Sequence, residues 1–361
     1  MRLPLAGGID CDVHIAPPSM RALLPHLDAY WREQMVNRGL DRVDFTLASA
    51  RPRLPIAARP DSRGNGGELD TLRARLLDPL QLRTAICHAL HGAIALHTED
   101  MAAALCRAVN DWVAAEWLDR EPRLRGSILL PLQNVELAVA EIERRAADQR
   151  FVQVLALAMV DQPLGRRHYW PVWAAAERHG LPLAIHAGSL FRHAPSATGW
   201  PSFHVEDHVL QAQAFDAQLA SLIAEGAFQK FAALKVVLLE SGLTWLPTFI
   251  WRMNKIWRGL RAEVPWVKQP PGDIIRDRVR VTLQPVDAPD DPQVLARTLD
   301  HIGAERMLLF SSDWPHWHDD RPDPIPDGVP DALARRMLLD NPAETYPRLS
   351  LPAARATEAA R

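Results

Sequence analysis

Short apolar segments bounded by turn residues alternate with helical segments along most of the chain. The apolar segments are short and have apolar residues on both faces, which is typical of buried strands. These segments are AGGIDCDV (6–13), GSILLP (126–131), FVQVLALA (151–158), LPLAIHAG (181–188), LKVVLLESG (234–242), RVRVTLQP (278–285) and RMLLFSSD (306–313). Helical patterns such as VELAVAEIERRAAD (135–148) and WPVWAAAERHG (170–180) separate them. Strands joined by helical crossovers run parallel, so this alternation restricts the chain to an α/β fold.

The number of strand–helix units favours a closed barrel over an open sheet. Seven or eight such units in 361 residues fit a (β/α)8 barrel of the TIM type with insertions. We predict a single barrel over residues 1–350, followed by a tail at 351–361. An insertion on a barrel loop is predicted at about 45–80, near the N-terminal third, because this stretch is poor in strand pattern and contains SRGNGGE (62–68).

The charge balance and the cysteines argue against several classes of protein. Forty-one basic and 44 acidic residues give a net charge of −3, which disfavours a nucleic-acid-binding protein. Cys11, Cys87 and Cys106 lack CxxC spacing, so we expect three buried thiols in a reducing compartment. Neither a signal peptide nor an apolar stretch of about 20 residues is visible, so we expect a cytoplasmic protein without a membrane partner.

Side chains that can bind a metal stand at the ends of four predicted strands. Asp12 and His14 end the first strand, His186 ends LAIHAG, Glu240 ends KVVLLE and Asp313 ends MLLFSSD. The carboxyl ends of all strands in a parallel barrel lie on the same face of the barrel. We therefore expect these side chains to converge there. Imidazole and carboxylate groups together suit zinc, manganese or iron(II). Each residue alone has a simpler explanation, such as a helix cap for Asp313 or Glu240, and only the combination predicts a metal site.

The segments around these residues resemble motifs of a known family. The matching segments are IDCDVHIAP (9–17), PVWAAAERHGLPLAIHAGS (171–189), FAALKVVLLESGLTWLP (231–247) and ERMLLFSSDWPHW (305–317). They are similar to the amidohydrolase superfamily, in the amidohydrolase-related branch that includes aminocarboxymuconate semialdehyde decarboxylase and resorcylate decarboxylase. The resemblance implies a (β/α)8 barrel and one divalent ion, zinc ahead of manganese. It carries the metal ligands over to Asp12, His14, His186 and Asp313.

Two departures from that family bear on the metal and on the reaction. Many relatives have His-x-His or Glu-x-His where this chain has Asp12-Val13-His14. The shorter acid either favours a harder ion or leaves Asp12 at longer range from the ion, so Asp12 is the least secure of the four ligands. The decarboxylases of the branch have a histidine where this chain has Glu240, and they lack His316. We therefore predict hydrolysis of a C–N or C–O bond in a small organic acid, amide or lactone. Decarboxylation of an aromatic or enol acid is the alternative, and a barrel that only binds a ligand is disfavoured by the complete ligand set.

The predicted hydrolysis assigns a role to three residues of the site. A metal with an open coordination position lowers the pKa of bound water to about 7. Asp313 is expected to bind the ion and to accept a proton from that water, then pass it to the leaving group. Glu240 or His316 is the candidate for the second group that moves a proton.

Residues next to the predicted ligands are candidates for contact with the substrate. Trp314 and Trp317 flank His316 directly after the last strand, and we expect them to form an aromatic wall over the pocket. Arg192, on the loop after His186, is a candidate for binding a substrate carboxylate. The expected partners are a small-molecule substrate and, for the assembly, a second copy of the chain in a homodimer.

Overall fold

Eight parallel strands form a single sheet in which each strand pairs with its neighbours in the sequence. The computed structural model describes residues 6–43, 68–188, 193–194, 196–316 and 324–350. The strands are β1 (Ile9–His14), β2 (Thr84–His88), β3 (Leu124–Leu129), β4 (Phe151–Leu157), β5 (Leu183–His186), β6 (Val236–Leu239), β7 (Val279–Thr282) and β8 (Leu308–Leu309).

The end of β8 runs beside β1 and closes the sheet into a barrel. The amide of Cys11 donates a hydrogen bond to the carbonyl of Phe310 at 2.9 Å, and the amide of His14 donates to the carbonyl of Trp314 at 2.7 Å. A parallel bridge between Val13 and Trp314 continues this pairing. The predicted (β/α)8 barrel is therefore confirmed.

At least one helix lies between every two consecutive strands, and two more follow β8. The α-helices are α1 (Met20–Leu23), α2 (Ala29–Asn37), α3 (Leu69–Leu72), α4 (Glu99–Val113), α5 (Val135–Arg145), α6 (Trp170–Arg178), α7 (His204–Ala224), α8 (Ala227–Lys230), α9 (Leu246–Leu260), α10 (Pro271–Arg278), α11 (Pro292–Ile302), α12 (Ala304–Met307), α13 (Asp331–Arg335) and α14 (Asn341–Thr345). Helix α11 begins as its sequence indicates, because the Asp291 side chain accepts a hydrogen bond from the amide of Gln293 at 2.8 Å and Pro292 occupies the first turn.

Strand β2 is the element that the sequence did not reveal. Its five residues, TAICH (84–88), are all buried. The run is too short for its periodicity to separate a buried strand from a helical segment, and it ends in a histidine. As a result, the prediction lacked the strand that carries His88 to the barrel mouth.

Part of the predicted insertion at about 45–80 is described. Residues 44–67 lie outside the described ranges, whereas α3 and the π-helical segment Arg73–Leu77 place four leucines in the core. The predicted tail at 351–361 is also outside those ranges, so the division of the chain remains a prediction. Within the described part of the chain, no helix is long and apolar enough to cross a membrane.

Candidate active site

Four side chains, those of Asp12, His186, Glu240 and Asp313, meet around the ring of His14. Its Nε2 atom lies 2.8 Å from Oε1 of Glu240 and 2.9 Å from Oδ1 of Asp313. The same atom lies 3.3 Å from Nε2 of His186 and 3.5 Å from Oδ1 of Asp12. The four residues predicted as metal ligands are therefore brought together, and Glu240 joins them.

These donors form two overlapping groups that could hold a metal ion: Asp12, His14, His186 and Glu240, and His14, Glu240, Asp313 and His316. Within each group the ligand atoms lie within 4.8 Å of one another. Asp12 is fully buried, and neither of its carboxylate oxygens accepts a hydrogen bond from a described residue. A buried carboxylate without partners is costly, and a bound cation removes that cost.

The electrostatics of the cluster also favour a bound cation. Burial raises the pKa of Asp12 well above its usual value, and repulsion from Asp313 and Glu240 adds to the effect while His14 opposes it. Burial lowers the pKa of His14, but its hydrogen bonds with Asp313 and Glu240 outweigh burial and raise that pKa to about 10. Three carboxylates lie close together in a buried site, and their negative charges repel one another. A divalent cation bound between them would offset this repulsion.

Two of these carboxylates are borne by residues with left-handed backbone conformations. Glu240 has a φ of 54° and Asp313 a φ of 53°. Such conformations cost on the order of 1–3 kcal/mol each in residues other than glycine, and they concentrate at functional sites. The amide of Glu240 donates to Oγ1 of Thr282 at 3.2 Å, and the amide of Asp313 donates to the carbonyl of Asp12 at 3.1 Å. These bonds hold the two acids where they face His14.

Asp10 connects the first strand to the segment after the last one, directly beneath the site. Its Oδ1 atom accepts hydrogen bonds from the amides of Asp12 and Ser312, both at 3.1 Å. Burial is the main cause that raises the pKa of Asp10 to about 7. Asp10 therefore fixes the backbone on both sides of the cluster, a role that the sequence analysis did not assign.

His316 brings a further imidazole to the same carboxylates. Its Nδ1 atom lies 2.8 Å from Oδ1 of Asp313 and 3.2 Å from Oε1 of Glu240. Burial lowers the pKa of His316, but the two acids outweigh burial and raise it well above the usual value. The alternative role of Glu240 as a helix cap is not supported, because α9 begins at Leu246 and its N-cap residue is Trp245.

A polar chain beneath the cluster, formed by His88, Ser127 and Gln153, was not anticipated. His88 ends β2, and its Nε2 atom lies 3.3 Å from Oδ1 of Asp12. Ser127 and Gln153 come from β3 and β4, and all three side chains are buried. A polar residue within an apolar strand is the signal that could have identified Gln153.

A small apolar cavity lies at the ends of β2, β3 and β4. Its lining consists of apolar residues alone: Leu90, Ile94, Leu129, Leu130, Leu132, Leu155, Ala156, Leu157 and Val160. Leu129 and Leu155 each stand two residues beyond Ser127 and Gln153, so they share the interior face of their strands. Leu157 pairs with His186 in the sheet register. The cavity therefore borders the strand that ends in the predicted ligand His186.

One of the residues predicted to contact the substrate, Trp314, is placed less favourably. Trp314 is only 3% exposed and belongs to the hydrophobic core, so its indole offers little surface to a ligand. Arg192 and Trp317 lie outside the described residues. Their contact with substrate stays a prediction.

Comparisons with known proteins identify relatives along nearly the whole chain. The family model described as amidohydrolase matches residues 9–348. Gamma-resorcylate decarboxylase from Polaromonas sp. is 26% identical over 280 residues, covering 75% of this chain and 84% of that protein. The gamma-resorcylate decarboxylase from Rhodococcus jostii is 28% identical over 268 residues, covering 69% of this chain and 78% of that protein.

Solved structures share the fold. A dihydroxybenzoic acid decarboxylase from Polaromonas sp., with bound manganese and the inhibitor 2-nitroresorcinol, has a TM-score of 0.68 at 22% identity and covers 96% of this chain and 100% of its own. The 5-carboxyvanillate decarboxylase from Sphingomonas paucimobilis has a TM-score of 0.66 at 19% identity, with 94% of this chain and 99% of that chain covered. At these identities the likeness shows the fold alone.

The relatives overturn the hydrolysis that the sequence analysis predicted. Those identified by sequence are decarboxylases, so the predicted cleavage of a C–N or C–O bond is wrong. The prediction treated Glu240 as the loss of a histidine that moves protons. His316 brings an imidazole close to Glu240 from the segment that follows β8, with Nδ1 3.2 Å from Oε1 of Glu240. The sequence does not show this proximity, which depends on the closure of the barrel.

Proposed function

The chain belongs to the amidohydrolase family, and from this premise we propose that it is a metal-dependent decarboxylase of an aromatic or enol carboxylic acid. That it is an enzyme follows from its family and from its decarboxylase relatives. The observation that carries the proposal is the cluster around His14, in which Asp313 lies between a metal-competent set and the imidazole of His316.

The divalent ion of this site is proposed to be manganese, bound by Asp12, His14, His186 and Asp313 with Glu240 as a further donor. Zinc, which the sequence analysis placed first, has no specific support. Three carboxylates among five donors suit a harder ion than a thiolate or an all-imidazole set does. Manganese is also the ion bound in the Polaromonas decarboxylase structure.

Decarboxylation exchanges the bond between carbon and carboxylate for a bond between carbon and hydrogen. A proton is added to the carbon that bears the carboxylate, and the electron pair of the breaking C–C bond stays with the substrate as carbon dioxide leaves. When bound, the divalent ion supplies positive charge that holds the anionic oxygens of the substrate. The chain must then deliver one proton from within the site.

Asp313 and His316 are the proposed route for that proton. Nδ1 of His316 lies 2.8 Å from Oδ1 of Asp313, which is within reach for direct transfer. We propose that Asp313 passes the proton to the substrate carbon and that His316 restores it. Glu240 keeps the imidazole charged, because its Oε1 atom lies 3.2 Å from Nδ1.

The apolar side chains that line this small cavity are proposed to contact the hydrocarbon part of the substrate. Apolar side chains favour contact with a ring or an alkyl group over contact with a polar substituent. Gamma-resorcylate and 5-carboxyvanillate, for which the relatives are named, are carboxylic acids of this aromatic type. A small aromatic acid is therefore the first substrate to test.

Release of carbon dioxide tests the proposed reaction. The manganese-loaded protein is incubated in D2O with 2,6-dihydroxybenzoate and a panel of other aromatic and enol acids. We expect carbon dioxide and a product with one deuterium at the carbon that carried the carboxylate. In H2¹⁸O the organic product should gain no ¹⁸O. Incorporation of ¹⁸O into the organic product, or turnover without carbon dioxide, would contradict decarboxylation.

A polar substitution in the cavity tests where the substrate lies. Ile94→Asn places an amide on the cavity wall, and we expect KM for an aromatic acid to rise by about 10-fold while kcat changes little, because contact with the hydrocarbon part is worth about 1–3 kcal/mol. Val139→Asn, at a partly buried position on α5, is the matched control. Equal KM values for both variants would place the substrate elsewhere.

The predicted partners remain proposals. A small-molecule substrate is the partner that the proposed decarboxylation requires. The homodimer rests on the sequence analysis, and it adds no residue to the proposed mechanism.

A further inference from the structure

A chain of three buried polar side chains crosses the barrel interior from β4 to β2 and ends beside Asp12. Nε2 of Gln153 donates to Oγ of Ser127 at 3.0 Å, and that oxygen lies 2.8 Å from Nδ1 of His88. Nε2 of His88 lies 3.2 Å from the carbonyl oxygen of Cys11 and 3.3 Å from Oδ1 of Asp12. The chain therefore connects three strands that bear no metal-binding residue to the strand that bears two.

The hydrogen bonds of this chain have one consistent direction. Nε2 of His88 faces two oxygen acceptors, so this nitrogen carries the hydrogen and donates it to the carbonyl of Cys11. The amide nitrogen of Gln153, which can only donate, lies 3.5 Å from Nδ1 of His88, so Nδ1 faces donors. Nδ1 of a neutral ring with a hydrogen on Nε2 is an acceptor, so the hydroxyl of Ser127 donates to it. Gln153 in turn donates to Ser127 and fixes the rotation of that hydroxyl.

The geometry points to His88 as a positioning residue for metal binding, held in its tautomer by Ser127 and Gln153. His88 holds the peptide between Cys11 and Asp12 through the Cys11 carbonyl, and its N–H dipole lies beside the Asp12 carboxylate. No described residue donates a hydrogen bond to that carboxylate, so its orientation toward His14 depends on this peptide. The inference rests on the proposed function only in that the ligand is a divalent cation.

Manganese affinity, measured without substrate, tests this inference. Metal-free protein is titrated with Mn²⁺, and free Mn²⁺ is followed by electron paramagnetic resonance. We expect His88→Leu to weaken binding by about 10–100-fold, the usual scale for residues that orient metal ligands. His88→Gln should recover most of the affinity, since its amide can donate to the Cys11 carbonyl. Ser127→Ala should have a smaller effect, because the ring keeps its place but loses the bond that fixes its tautomer.

A buried polar residue elsewhere in the barrel is the matched control. Asn110 bonds with the backbone of Leu129 at 3.0 Å and 2.9 Å and with Glu141 at 2.7 Å, without contacting the cluster. Asn110→Ala should lower the melting temperature and leave the Mn²⁺ affinity unchanged.

Three results would overturn the role of His88. They are an unchanged Kd in folded His88→Leu, an equal loss in His88→Gln and His88→Leu, and an equal loss in Asn110→Ala. If His88→Leu does not fold, the Kd for Mn²⁺ is measured in Ser127→Ala and in Gln153→Leu instead. A wild-type Kd in both variants would overturn the inference. Because no substrate is present, a protein that binds Mn²⁺ through His88 but releases no carbon dioxide would refute only the proposed reaction.

Discussion

Replacement of His186 by alanine is expected to abolish tight binding of the divalent ion and to lower kcat by about 10³-fold or more. His186 is buried at the end of β5, with Nε2 3.3 Å from Nε2 of His14. Its removal leaves fewer donors around an ion whose positive charge is worth several kcal/mol to the reaction, and about 4 kcal/mol corresponds to roughly 10³-fold in rate. The loss should appear in elemental analysis and in the rate measured with excess Mn²⁺.

The control for this variant is a histidine of the same chain outside the cluster. His208 is exposed on α7, so His208→Ala should retain about one ion per chain and the wild-type rate. The wild-type protein should also melt at a higher temperature with Mn²⁺ than after chelation. At a free Mn²⁺ concentration of 100 times Kd, binding should add about 2.7 kcal/mol to the free energy of unfolding. A wild-type protein that binds almost no transition metal after reconstitution would contradict the whole assignment.

The sequence predicted those parts of the fold and site that depend on residues near one another in the chain. An apolar run that ends on an acid or a histidine indicates both a buried strand and a functional side chain at its end. His186 and Asp313 could therefore be assigned to the barrel mouth from the sequence. Asp12 and His14, two residues apart on β1, could be placed on one face for the same reason.

What the sequence could not predict depends on closure of the barrel and on backbone conformation. The meeting of Glu240 with His316 requires left-handed φ angles at 240 and 313, and nothing in the local pattern indicates such angles in acidic residues. His88 was missed together with its strand, since five residues carry too little periodicity. The predicted reaction was wrong because it compared Glu240 with one position in related proteins, whereas the imidazole reaches Glu240 from the segment that follows β8.

Glu240 and His316 are expected to act as one unit, and their substitution should lower kcat by about 10²–10⁴-fold in either single variant. Glu240→Gln keeps the shape of the side chain but removes the charge that holds the proton on Nδ1 of His316. His316→Asn removes the group that restores the proton to Asp313. We expect Glu240→Gln to have the larger effect, because Oε1 of Glu240 also lies 2.8 Å from Nε2 of His14.

The double variant distinguishes a unit from two independent contributions. If Glu240 serves the reaction by holding the proton of His316, then Glu240→Gln combined with His316→Asn should be about as slow as the slower single variant, since groups that act together are not additive. The comparison is made at equal Mn²⁺ content, because Glu240 is also a possible metal donor in the cluster. A double variant in which the two losses multiply would show that the residues act separately. An unchanged kcat in metal-loaded Glu240→Gln would show that Asp313 and His316 transfer the proton without Glu240. Glu240 would then have only a structural role in the site.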